Sequence, residues 1–209
     1  MEAILSFISS LFDIISSFLP FLCKREKDEN CEKKIKQFKW ENIEVGVSIL
    51  SKKIAEDFEP EIIMCSSTGA SGIIANLYFL TNDKFIPIIC GNHRKVKSRF
   101  TAPVEENTDL FFKTNKWEVY LPNELKKYSD KKILIIEDVV LSGDSLEREK
   151  ELVRKCGYKS ANVRSAALFV STVAIYSGNQ PDYYWFKLDD SISYYYPWGR
   201  NIFGKGYDI

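Results

Sequence analysis

Ile133-Leu134-Ile135-Ile136-Glu137-Asp138-Val139-Val140-Leu141-Ser142-Gly143-Asp144-Ser145-Leu146 carries an apolar run into two adjacent acids, a short polar turn and the start of a charged segment. Four aliphatic residues in a row suit a strand buried on both faces of a parallel sheet. Ser145 to Cys156 then reads as a helix stopped by Gly157. Ligands of open α/β sheets bind beyond the carboxyl ends of the strands, which puts Glu137 and Asp138 where a site is expected. The turn through Leu141, Ser142, Gly143, Asp144 and Ser145 offers successive backbone N–H groups at a helix N-terminus, suited to a phosphate. Glu137 and Asp138 are acceptors suited to sugar hydroxyls. The plain alternative is an acidic turn that does no more than cap a helix.

Strands alternate with helices on both sides of this stretch. Ile43, Val47, Leu50, Ile54 and Phe58 recur at helical spacing and predict a helix from Trp40 to Phe58, ended by Pro60. Glu61 to Cys65, Phe85 to Cys90, Trp117 to Leu121, Asn162 to Val170 and Tyr183 to Leu188 read as strands, with Pro87 leaning toward an edge or a strand start. Ile73 to Leu80 reads as a second helix, and Gly91 to Lys116 as irregular. The alternation predicts an α/β domain over residues 40–209, with a mostly parallel central sheet flanked by helices.

Residues 1–23 have a different composition. Ala3 to Cys23 is rich in Ile, Leu and Phe, holds no Lys or Arg, and is near the roughly 20 residues that span a bilayer. Its polar residues, Ser6, Ser9, Ser10, Asp13, Ser16 and Ser17, recur every three to four positions and so form one helical stripe. A membrane span, an interfacial helix and an oligomerisation helix all fit; membrane association through residues 3–23 is the favoured expectation. The following basic residues, Lys24, Arg25, Lys27, Lys33, Lys34 and Lys36, would keep the rest of the chain on the cytoplasmic face. Residues 24–39 read as a solvated charged linker.

Composition removes several functions. The 209 residues fit one domain with a short appendage. Lys+Arg 29 against Asp+Glu 29 leaves no global field for nucleic acid, and no nucleic-acid motif is evident. The one histidine, His93, excludes HExxH and most His-based metal sites. Five scattered cysteines without a CxxC pair read as reduced thiols.

With its four apolar residues, two acids, two apolar residues and Ser-Gly-x-Ser turn, the 133–145 stretch resembles the signature of the type I phosphoribosyltransferases. The resemblance extends over most of residues 40–200. Ser66-Ser67-Thr68-Gly69-Ala70-Ser71-Gly72 stands in the place of the pyrophosphate loop. Pro181-Asp182 and Tyr196-Pro197-Trp198 look like the base-binding hood of the xanthine, guanine and hypoxanthine enzymes. The resemblance implies a pentosyltransferase that moves ribose 5-phosphate from phosphoribosyl pyrophosphate (PRPP) to a purine-type base with Mg²⁺, in a homo-oligomer. It implies that Glu137 and Asp138 hold the ribose hydroxyls and the metal, that residues 141–145 hold the 5′-phosphate, and that Ser67, Thr68, Gly69, Arg94 and Lys95 hold pyrophosphate. His93 to Arg99 would stand in a mobile basic loop; a solvated basic loop is the equal alternative. Gln180, Phe186 and Tyr194 are the base-binding candidates.

The sequence departs from that pattern in three places. Leu141 stands where many purine enzymes carry an Asp that accepts the purine's proton. Gln180 stands where they carry a Lys, and residues 66–72 hold neither Lys nor Arg. These departures keep a second expectation open, a weak or inactive PRPP or nucleotide sensor coupled to a membrane helix.

Overall fold

The computed structural model describes residues 34–66, 70–81, 85–95, 111–113 and 117–199. The expected apolar helix at residues 3–23 lies outside them. Among the described residues, no helix is long and apolar enough to cross a membrane.

The described residues form nine strands and four α-helices. The strands are β1 (Lys34–Gln37), β2 (Ile62–Ser66), β3 (Ile88–Lys95), β4 (Phe111–Lys113), β5 (Trp117–Tyr120), β6 (Ile133–Val140), β7 (Val163–Val170), β8 (Tyr183–Lys187) and β9 (Ile192–Tyr195). The helices are α1 (Trp40–Ala55), α2 (Ser71–Leu80), α3 (Asp144–Lys155) and the short α4 (Thr172–Tyr176). Seven strands form one sheet in the order β4-β5-β3-β2-β6-β7-β8, parallel from β3 through β8 and antiparallel at β5 and β4. Ile133 to Ile136 lie opposite Ile62 to Cys65 on one side, and Ile133 opposite Val163 on the other. The expected mostly parallel sheet flanked by helices is present, with β6 inside it.

Each face of β6 feeds a separate core. Leu134 and Ile136 pack with Ile43, Val47, Leu50 and Ile54 of α1 and with Ile74 and Tyr78 of α2. Ile133 and Ile135 pack with Leu146, Leu152 and Val153 of α3. Burying an aliphatic side chain of this size contributes about 1.5–3 kcal/mol, so the four buried aliphatic residues of α1 alone hold it firmly to the sheet. The i, i+4, i+7 spacing seen in the sequence is therefore the stripe that faces the core.

Three boundaries differ from expectation. Residues 34–38 fall in the segment read as linker, but Lys34–Gln37 pairs in parallel with β9, and Phe38 is buried among aromatic rings. Tertiary pairing overrides the local charge density that made this stretch look solvated. His93 to Lys95, expected in a loop, continue β3 and pair antiparallel with Val119, Glu118 and Trp117. Pro87 immediately precedes β3, which lies inside the sheet, so it marks a strand start and not an edge. The helix expected to reach Phe58 ends at Ala55, although Phe58 is still buried.

Candidate active site

Strand β6 continues past the apolar run, so Glu137 and Asp138 are its fifth and sixth residues, and α3 begins at Asp144. Neighbours on a strand project to opposite faces, and the two acids accordingly have separate partners. Asp138 is half-buried. Its Oδ2 accepts the Ala70 N–H at 3.0 Å and its Oδ1 accepts the Val139 N–H at 2.9 Å, two main-chain bonds that orient the carboxylate. Glu137 is buried, and its Oε2 accepts from the Ser71 hydroxyl at 2.9 Å. The start of α2 thus touches both acids.

Behind Glu137 stands a third acid. Glu149 of α3 is 1% exposed and shares a side-chain hydrogen bond with Glu137. One Glu149 oxygen, Oε2, has no partner among the described residues. Burial, and then the nearby charges of Glu149 and Asp138, push the Glu137 carboxyl well above the usual carboxylate range, against the Ser71 hydrogen bond. Burial raises Glu149 to about 7, against the Glu137 hydrogen bond and the Arg148 charge. At neutral pH the pair therefore retains a proton, and Asp138 is the acid offered to a ligand.

The turn that follows is shaped by Gly143. Its φ of +79° lies in the left-handed region, and a Cβ there would sit 2.2 Å from the Asn179 carbonyl oxygen. The carbonyls of the turn are held from behind. Ser171 Oγ donates to the Leu141 carbonyl, and Asn179 Nδ2 donates to the Ser142 carbonyl at 3.4 Å. No side chain caps α3; Ser142 and Asp144 are exposed, Ser145 is half-buried, and Leu141 is 40% exposed. Asp144 N–H turns back to Ser142 Oγ at 3.3 Å. The arrangement is an open helix N-terminus with its dipole toward solvent, suited to an anion.

The base-binding candidates separate. Tyr194 is 1% exposed, packed with Phe38 and Phe186, and its hydroxyl accepts the Asp189 N–H at 2.9 Å. It is a core residue and presents no ring face to a ligand, so the expected stacking role does not suit it: its ring is enclosed by Phe38 and Phe186. Phe186 is half-buried, with the Lys36 ammonium 4.2 Å from its ring centroid. Gln180 is exposed. Asp182 beside it anchors the hood: its Oδ2 accepts from the Ser165 N–H at 2.8 Å and the Ser165 hydroxyl at 2.7 Å. The backbone of Arg94 and Lys95 is placed on β3, and Ser67, Thr68 and Gly69 lie outside the described residues.

Mg²⁺ needs a near-octahedral set of oxygens and keeps several waters. Asp138 has the chemistry for one such position. Glu137, buried, with its carboxyl pushed well above the usual carboxylate range and already bonded to Ser71 and Glu149, does not fit the ligand role expected of it. Among the described residues, no group of three or more His, Cys, Asp or Glu side chains could hold a metal by itself.

The sequence reading missed Glu149, Ser171 and Asn179, and it placed Ser71 in the 66–72 stretch without its bond to Glu137. Glu149 carried a signal, since Leu146, Glu149, Leu152 and Val153 share one helical stripe, and a carboxylate on an apolar stripe is buried.

The phosphoribosyl transferase domain family matches residues 92–203, just over half of the 209. The chain belongs to that family. Membership agrees with the expected enzyme class, a phosphoribosyltransferase among the pentosyltransferases. The fold is similar to that of a purine phosphoribosyltransferase from Pyrococcus horikoshii, at 23% identity and a TM-score of 0.57, over 80% of this chain and 95% of that one. It is similar to a Neisseria gonorrhoeae protein with bound ppGpp, at 17% identity and a TM-score of 0.60, over 81% and 91%. It is also similar to the Helicobacter pylori xanthine-guanine-hypoxanthine phosphoribosyltransferase, at 21% and 0.51, over 76% and 90%. No curated protein matches the chain.

Proposed function

We propose that this phosphoribosyltransferase-family domain moves ribose 5-phosphate from PRPP to a purine-type base, releasing pyrophosphate. The observation that supports this most is the Asp138 carboxylate, held by the Ala70 and Val139 N–H groups at the mouth of an uncapped helix N-terminus. The turn 141–145 would bind the 5′-phosphate through its backbone. Asp138 would hold a ribose hydroxyl and offset the positive charge that develops on the sugar as pyrophosphate departs. Glu137 would act as a buried hydrogen-bonding partner. Residues 66–72, which carry no cation, would meet pyrophosphate through backbone N–H groups, with Arg94 and Lys95 nearby in the fold order. Mg²⁺, when bound, would neutralise pyrophosphate oxygens, with Asp138 as the carboxylate available to it. Phe186 and Gln180 stay as base-facing candidates.

The test is pyrophosphate release by the full chain with PRPP, Mg²⁺ and a panel of purines and pyrimidines. Base-dependent release that falls about 10²–10³-fold in Asp138→Asn supports the reading, a loss of the size seen when one electrostatic stabiliser is removed. Tight PRPP or nucleotide binding without turnover rejects it.

A second reading is a nucleotide sensor. Leu141, 40% exposed where a proton acceptor would stand, and a protonated Glu137 favour it. The similar Neisseria protein carries ppGpp, so calorimetry with ppGpp and PRPP separates the two readings. For either, residues 3–23 would tether the domain to the cytoplasmic face of a membrane; equal partitioning of full-length and 24–209 chains into membrane fractions would remove that element.

A further inference from the structure

Two thiols meet at the root of the 66–72 loop. Cys65 is the fourth residue of β2 and Cys90 the third of β3, and these parallel neighbours place them directly opposite one another. Their side chains project to the same face, with Sγ atoms 3.4 Å apart. Adjacent strands run about 4.8 Å apart, inside the roughly 4.4–6.8 Å separation of Cα atoms that a disulfide bridges. Closing the gap to a bond of about 2.05 Å needs a shift of little more than an ångström, within reach of small χ1 rotations. The next residue pair is Ser66 and Gly91, so the two strands stay paired one residue beyond the cysteines.

The pair is also asymmetric. Cys90 is exposed, whereas Cys65 is completely buried. Cys156, the other described cysteine, is buried and donates to its own helix at the Leu152 carbonyl, so it has no comparable neighbour.

We propose that Cys65 and Cys90 form an oxidisable dithiol that a hydroperoxide closes into a disulfide one residue before the end of β2, the strand whose chain continues to Ala70 and Ser71. The exposed Cys90 thiolate attacks the peroxide O–O bond, forming a sulfenic acid and releasing an alcohol, or water when the oxidant is hydrogen peroxide. The Cys65 sulfur then attacks the Cys90 sulfur and expels hydroxide, which takes up the Cys65 proton and leaves as water. Two thiols and one peroxide thus give one disulfide, one alcohol or water, and one water; two electrons pass from sulfur to the peroxide oxygens. Burial disfavours the Cys65 thiolate, which assigns it the resolving step and leaves the first attack to Cys90.

The bond would fix β2 to β3 one residue before Ser66. From there the chain leads to the Ala70 N–H that holds Asp138 and the Ser71 hydroxyl that holds Glu137. Oxidation would therefore alter PRPP binding through the loop, a consequence that rests on the transferase reading above.

The experiment treats the full chain with stoichiometric hydrogen peroxide, alkylates the remaining thiols, and maps peptides by mass. A Cys65–Cys90 linked peptide, two hydrogens lighter than its reduced parts and cleaved by dithiothreitol, is the expected result. In Cys90→Ser, Cys65 should stay reduced. Links from Cys90 to Cys23, Cys31 or Cys156, or a Cys90 that proceeds to sulfinic acid with Cys65 untouched, would overturn the pairing. The second readout is the KM for PRPP, expected to change several-fold on oxidation, to recover with dithiothreitol, and to be unresponsive in Cys90→Ser. A linked peptide with unchanged KM would overturn the coupling to the loop. An inactive protein would bear on the transferase reading alone, since the peptide map decides the pairing without turnover.

Discussion

The β6–α3 turn and the β8–β9 hood hold their shapes in different ways. Around Asp138 the positioning groups are largely main chain: the N–H groups of Ala70 and Val139, with the carbonyls of Leu141 and Ser142 tied to Ser171 and Asn179. In the hood, ring packing dominates. Phe169 lies 4.7 Å from both Phe38 and Tyr196, and Tyr196 stacks on Trp198 at 5.1 Å. The Tyr196 hydroxyl and Trp198 Nε1 are buried there without partners among the described residues, and burial together with the Asp138 charge raises the tyrosine's pKa. A geometry fixed by backbone bonds survives many side-chain changes but not a new Cβ; one fixed by packed rings responds to lost volume.

The largest expected effect lies in the hood. Tyr194→Ala should destabilise the domain by about 3–5 kcal/mol, the usual cost of emptying a buried aromatic position. Phe186→Ala, at a half-buried ring, should cost clearly less. Urea unfolding of both variants checks the ordering; a Phe186 loss equal to that of Tyr194 would break the distinction between core ring and candidate ligand ring.

The matching insult to the turn is Gly143→Ala. It combines a positive φ with a contact at 2.2 Å to the Asn179 carbonyl oxygen, so the backbone must shift. The expected cost is about 2–4 kcal/mol, from strain and overpacking together. Thermal melts measure it, and a variant as stable as the parent would mean that the turn is not held as described.

These differences explain what the sequence could reveal. Ile133 to Ser145 was legible because strand, acids, turn and helix are consecutive, and their periodicity and turn chemistry are local. The α1 stripe was legible for the same reason. The hood was not: Tyr194 and Phe186 are aromatic residues on strands of two different sheets, and the pairing of β9 with β1, far apart in the chain, helps decide which one is enclosed. Lys34–Gln37 looked like linker because a strand of four exposed polar residues has no apolar alternation, and its partner lies far along the chain. Ser71 and Glu149 were invisible as a pair, since they join Glu137 from two different helices.

Glu149 sharpens the comparison through pH. Its pKa is raised from 4.5 to about 7 in the folded chain, so the folded state binds the proton more tightly than the unfolded state does. The stability this contributes is complete below the unfolded value and is lost as pH rises from 4.5 toward about 7. Glu149→Gln, permanently neutral, should flatten that decline by about 2–3 kcal/mol. Unfolding midpoints taken across this pH window test it; parallel pH profiles for the two proteins would show that the buried acids do not share a proton.

The smallest effect is expected at Ser71. Its hydroxyl is fully buried and donates to Glu137 at 2.9 Å, a side-chain hydrogen bond by which α2 reaches that acid. Ser71→Ala removes the donor but keeps the packing, and should cost about 1 kcal/mol, read as a lower urea midpoint at unchanged slope. Because the hydroxyl favours the ionised form of Glu137, its loss raises that carboxyl further, so the pair holds its proton to higher pH. A double-mutant cycle with Glu137→Gln isolates the contact from any general loosening of α2. Coupling near zero would mean that the start of α2 is positioned by the Ala70 bond to Asp138 alone, and the backbone-held character of the turn would then extend to both acids.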